Sequence, residues 1–134
     1  MNIILNPLQA FNTMTQFLDS YYKKNLSDDL GILLSSMEFL EDNETVDAAT
    51  WDDWINILGE NHTLTKLQAF NAMIKYLTLY ADLMNSEDLR TVLGSIELSD
   101  KKSLAKDVWG SWISCVNNAL KDPESARYYL KLTK

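Results

Sequence analysis

The sequence predicts an all-α chain: two tandem three-helix repeats packed together, followed by a C-terminal helix. Two observations carry this. The pentapeptide Leu8-Gln9-Ala10-Phe11-Asn12 recurs letter for letter as Leu67-Gln68-Ala69-Phe70-Asn71, and the segments 5–39 and 64–98 align without a gap at an offset of 59, with 15 of 35 positions identical. One residue is then lost, and at an offset of 58 Trp51, Trp54 and Ile55 match Trp109, Trp112 and Ile113. A repeat of this length is one supersecondary unit that buries its apolar face against a neighbouring copy. The 134 residues are read as one domain, with repeat one over 5–59, repeat two over 64–120 and a final helix over 123–132.

The first helix is expected from Pro7 to about Lys23, because proline suits a first turn whose N–H groups have no partner anyway. On a helical wheel Leu8, Ala10, Phe11, Met14, Phe17, Leu18, Tyr21 and Tyr22 fall in one half, with Thr15 the one polar residue among them. Thr13 falls in the polar half. Ser27 is an N-cap for a second helix reaching about Phe39, with Asp28 and Asp29 where the helix dipole favours negative charge. Leu30, Leu33, Leu34 and Met37 form its core stripe, while Ile32 and Phe39 are expected to face the other copy.

The aperiodic acidic stretch Glu41 to Asp47 reads as a loop. A third helix runs from Asp47 or Ala48 to Leu58, closed by Gly59, and carries the stripe Trp51, Trp54, Ile55 and Leu58. Asp52 and Asp53 are expected to point outward. After a link through His62, the fourth helix repeats the first, with Leu67, Ala69, Phe70, Met73, Ile74, Tyr76, Leu77 and Tyr80 on its broad face. The fifth starts at Ser86, and the sixth spans roughly Leu104 to Leu120 with its tryptophans in the core. Asp122-Pro123-Glu124 starts the last helix. Gln9, Gln68, Asn12 and Asn71 are polar yet shared by both copies, and are expected to bond the backbone of a neighbouring helix end.

The chemistry-bearing residues point away from catalysis, so the expectation is a non-enzyme with no cofactor and no metal. The single His62 reads as a solvated residue of a linker, and Cys115 reads as small helix packing. An EF-hand frame started at Asp42 fails, since Val46 and Asp47 stand at its fifth and sixth positions. No Cys/His set is spaced for zinc, and no glycine-rich phosphate loop occurs. One cysteine rules out an internal disulfide and fits a reducing, cytoplasmic location. The N-terminus is not read as a signal peptide, and no apolar run is long enough to span a membrane.

The net charge of −7 is unevenly spread: residues 1–62 hold 11 acidic and 2 basic side chains (−9), and residues 63–134 hold 8 acidic and 10 basic (+2). This disfavours nucleic acid, which wants a basic stripe, and favours a basic protein partner. The candidate binding residues are Glu38, Glu41, Asp42, Glu44, Asp47, Asp52 and Asp53, seven acids within 16 residues with no Lys or Arg between them. Such a face raises association rate and sets orientation through complementary potential.

Leu5-x-Pro7-Leu8-Gln9-Ala10-Phe11, Phe17-Leu18-x-x-Tyr21-Tyr22, Ser27-Asp28-Asp29-Leu30-Gly31 with Leu33-Leu34-Ser35, and Asp42 with Thr45-x-Asp47-x-Ala49-x-Trp51-x-Asp53-Trp54 together resemble the immunity proteins of bacterial contact-dependent growth inhibition systems. The resemblance covers about Leu5 to Leu58, and the second copy matches only partly. It implies a cytoplasmic protein that binds the toxic C-terminal domain of an exported effector, often a nuclease with a basic surface, and blocks its active site or substrate access. It does not say which residues bind. The alternative is a helical adaptor or dimerisation module without a toxin partner. The oligomeric state is not fixed by the sequence.

Overall fold

In a computed structural model the chain is mostly helical, and residues 4–25, 27–38, 45, 47–96 and 102–121 are described. The elements are β1 (Ile4–Leu5), α1 (Pro7–Asn25), α2 (Asp28–Ser36), α3 (Ala48–Leu58), β2 (Leu64–Thr65), α4 (Lys66–Leu83), α5 (Glu87–Ile96) and α6 (Lys102–Lys121). The expected helix over 123–132 lies outside the described residues.

The helix starts explain the recurring pentapeptide. Asn6 caps α1: its carboxamide oxygen accepts from Gln9 N at 2.8 Å, and Gln9 Oε1 accepts from Asn6 N at 2.8 Å. Thr65 and Gln68 make the same reciprocal pair on α4, at 3.1 and 2.8 Å. This is a capping box, which satisfies two otherwise orphaned N–H groups. The two glutamines therefore bond the start of their own helix, not that of a neighbour, and Asn12 is half-buried while Asn71 is exposed.

Further contacts recur in the same register. β1 and β2 pair antiparallel with Leu5 opposite Leu64, two residues that are themselves 59 apart. Ser27 caps α2 by accepting from Leu30 N, and Ser86 caps α5 by accepting from Leu89 N. Each serine hydroxyl then crosses to the other helix. Ser27 donates to Asp88 at 3.1 Å, and Ser86 donates to Asp29 at 2.5 Å. The N-termini of α2 and α5 thus face each other, and each carries its partner's counter-charge.

The core follows the tryptophans. The indole N–H of Trp54 donates to Pro7 O at 3.0 Å, and that of Trp112 donates to Lys66 O at 3.0 Å. Phe11 packs edge-on against Trp51 and Trp54, and Phe70 likewise against Trp109 and Trp112. Each fully buried tryptophan also reaches the first helix of the other half, Trp54 against Tyr76 and Trp112 against Phe17. α1 accordingly packs extensively on α6, and α3 packs on α4.

Four further expectations about burial and helix length need correction. Thr13 is fully buried, because α6 covers the flank of α1 that the wheel assigned to solvent, and its hydroxyl donates to Gln9 O. Ile32 is 61% exposed and does not face the other half, and Leu67 is 52% exposed. The second helix ends at Ser36, with Met37 as its C-cap, rather than near Phe39.

Tyr76 aligns with Phe17, and its hydroxyl makes no hydrogen bond of good geometry among the described residues, although the Thr50 and Tyr80 hydroxyls lie near it. A buried hydroxyl left unpaired costs about 1–3 kcal/mol. Tyr76→Phe should therefore raise the thermal midpoint, with a gain of about 1 kcal/mol in denaturant unfolding. A loss of stability would show that the hydroxyl is satisfied in solution.

Candidate functional site

The backbone brings the end of α2 against the start of α3. Asp47 N donates to Ser36 O at 3.2 Å, and the Thr50 hydroxyl lies 3.3 Å from that of Ser36. Thr45 ties the approach by donating to Asp47 O. Glu38 and Asp47, nine positions apart in sequence, therefore stand exposed at one junction. Asp52 is exposed further along α3. Glu41, Asp42 and Glu44 lie outside the described residues.

Two of the seven candidate acids hold the fold as well. The Asp47 carboxylate caps α3 by accepting from Ala49 N at 3.0 Å. Asp53 is half-buried and does not point outward as expected: its carboxylate accepts from the Tyr80 hydroxyl at 2.6 Å. α3 packs on α4, and its sequence neighbour Asp52 takes the solvent side instead. This bond joins the halves, and no helical wheel of α3 alone could place Tyr80 opposite it. Tyr80 in turn stacks at 4.8 Å on Tyr76. Burial, then the adjoining Asp53 carboxylate, pushes the Tyr80 hydroxyl up to about 12. Burial pushes the Tyr76 hydroxyl higher still, helped by Tyr80.

A second acidic feature was missed by the sequence reading. Between α1 and α2 runs an open cleft of about 640 Å³, lined by Asp19, Asp28 and Glu38 together with Tyr22, Gly31 and Ile32. Gly31 lets the Tyr22 ring lie close to the α2 backbone: a Cβ there would stand 2.9 Å from the ring, and the tyrosine would have to shift to admit one. Other clefts are of different character: one of about 170 Å³ between α1 and α6 holds Lys24 and Asp107 together, and one of about 230 Å³ at α3 and α4 holds Lys75.

Cys115 is buried in α6, and that burial raises its thiol above the ordinary range, away from the thiolate a nucleophile needs. His62 is exposed. Among the described residues no group of three or more His, Cys, Asp or Glu is placed to hold a metal, and no helix is long and apolar enough to cross a membrane. Set against known protein families, curated proteins and solved structures, the chain matches none.

Asp53→Asn should cost about 1 kcal/mol in denaturant unfolding, the difference between a charged and a neutral acceptor for the Tyr80 hydroxyl, while Asp52→Asn should change stability by less than about half of that. Equal effects would remove the distinction between the two acids. The tyrosines set a pH limit. Because the folded chain holds the Tyr80 proton more tightly than an ordinary tyrosine at 10.0, the unfolded state sheds protons first as pH rises. Stability should be unaffected by Tyr80 below about pH 10 and fall between about 10 and 12. Tyr80→Phe should flatten that fall in melts taken across the range.

Proposed function

We propose that this chain is an immunity protein, built from two copies of one three-helix unit, that neutralises a basic toxin domain of a contact-dependent growth inhibition effector. The duplicated architecture is supported by the 59-residue register and by the capping boxes, serine–aspartate crossings and indole bonds that recur in it. The family reading is supported by the motifs of residues 5–58.

The observation that carries the binding role is the junction of α2 and α3, where Glu38 and Asp47 stand exposed together with Asp52 nearby on α3. A face of one sign attracts a nuclease-like basic domain and orients it before contact. On this reading the protein acts in the cytoplasm by occlusion: it covers the toxin's active site or its substrate path and performs no reaction itself.

The test uses Glu38 and Asp52, because Asp47 and Asp53 also hold the fold. Cells expressing the toxin domain encoded beside this chain should be rescued by wild type and killed with Glu38→Lys/Asp52→Lys. Binding measured with the purified pair should weaken by about tenfold or more and lose most of its salt dependence. Full protection by the double variant, with an unchanged dissociation constant, would move the interface elsewhere. Failure of the wild type to rescue would remove the immunity reading.

A further inference from the structure

The contacts that join the two halves come in pairs. Ser27 donates to Asp88 and Ser86 donates to Asp29, and the offset of 59 turns one bond into the other. Trp54 meets Tyr76, and Trp112 meets Phe17, the residue aligned with Tyr76. α3 packs on α4 and α6 packs on α1, so the third helix of each half lies on the first helix of the other. β1 and β2 meet at Leu5 and Leu64, which are aligned with each other. An interface whose two sides make the same contacts in exchange is isologous, the form found in two-fold dimers. Its contacts are the same whether the two sides belong to one chain or to two.

Here one chain makes both sides because of a short link. Residues 59–63 are exposed throughout. α3 stops at Gly59, which sits at φ 65° and ψ −126°, a backbone region that strains any residue with a side chain. The main-chain N–H of Asn61 and its carboxamide both donate to Leu58 O, at 3.2 and 3.0 Å, and close the turn. The second half shows another course. An offset of 58 sets Gly59–Thr63 against Asn117–Lys121, and there α6 continues as helix to Lys121. The same position thus holds a turn in one half and a straight helix in the other. A straight course through 59–63 would carry the second half away from the first and leave both sides of the interface open.

We propose that two copies of this chain exchange halves, with residues 4–58 of one packed on residues 64–121 of the other and Gly59 as the hinge. The contacts between halves are all kept among the described residues, and only the link changes course. What favours the closed monomer is proximity, since a short flexible link supplies an effective concentration on the order of 1 mM. The exchanged dimer gains ground in concentrated solution, or when the turn at Gly59 is penalised. The proposal uses the paired contacts alone and is independent of what the chain binds.

The test unfolds the full chain in denaturant and refolds it at about 1 mM, with mass read by light scattering. A species with the mass of two chains should form, and dilute refolding should give the monomer. Gly59→Ala strains the turn and favours a continued helix, so it should raise the dimer fraction several-fold. The pairing is read with Cys115→Ala chains that carry either Ile4→Cys or Thr65→Cys, positions opposite each other across β1 and β2. Refolded together and oxidised, the two should form a disulfide between chains, and neither should do so alone.

A Gly59→Ala chain that folds but stays monomeric at every concentration overturns the proposal. So does a dimer in which the two cysteines fail to join. If Gly59→Ala does not fold, the wild-type chain decides: a monomer alone at about 1 mM overturns the proposal. Ile4→Cys/Thr65→Cys, refolded dilute, should close a disulfide within one chain, and its failure to do so would end the proposal together with the paired architecture. None of these outcomes bears on rescue from the toxin, whose failure would end the immunity reading alone.

Discussion

Two buried tryptophans set the positions of everything else. Trp54 and Trp112 each have an indole N–H that must find an acceptor once water is excluded, and each finds a carbonyl at the start of a first helix, Pro7 or Lys66. An unmet bond there would cost about 1–3 kcal/mol. The far side of each ring meets the opposite half, at Tyr76 or Phe17, and edge-to-face contacts of this kind add about 0.5–1.5 kcal/mol each. One ring therefore holds its own half together and locks it to the other half. The crossing of α3 over α4 and of α6 over α1 follows from meeting both demands at once.

Between the aligned segments 20 of 35 positions differ, and some of the differences are chemical. Phe17 becomes Tyr76, which puts a hydroxyl into the core beside Tyr80 and Thr50. Tyr21 and Tyr80 are matched in register, yet Tyr80 alone reaches Asp53. Arg90 stands where the first segment has Gly31, and its guanidinium donates to Glu87. None of these changes disturbs the serine caps or the indole bonds. Function can diverge at such places because the tertiary restraints lie elsewhere.

Helices, caps and the tryptophan core were legible in the sequence because they depend on spacing within one element. Ser27, Gly59 and the Trp51–Trp54 pair behave as their local patterns require. What was not legible depends on a second element. Thr13 is buried because α6 lies over it, and Leu67 is exposed because the start of α4 has no cover there. Asp53 turned inward because Tyr80 waits across the α3–α4 contact. The cleft beside Gly31 forms only where α1 and α2 meet. Of the acidic candidates, Glu38 and Asp47 are brought together by a main-chain bond from residue 47 to residue 36 that no periodicity signals.

Charge is held differently at two corners of the fold. In the second half Arg90 offsets Glu87 and Asp82, so acids at the α4–α5 corner are neutralised by the chain itself. At the corresponding α1–α2 corner Lys23 stands where the register has Asp82 and pairs with Asp19, while Asp28 and Glu38 have no cation within 4.0 Å among the described residues and the α2–α3 junction adds the exposed Asp47. Exposed carboxylates are well hydrated, and a surface ion pair is worth only about 0–1 kcal/mol, so leaving these acids unpaired costs the fold little. On the proposed reading they serve binding: exposed carboxylates act at a range of about 8 Å in physiological salt and draw a basic surface in before contact.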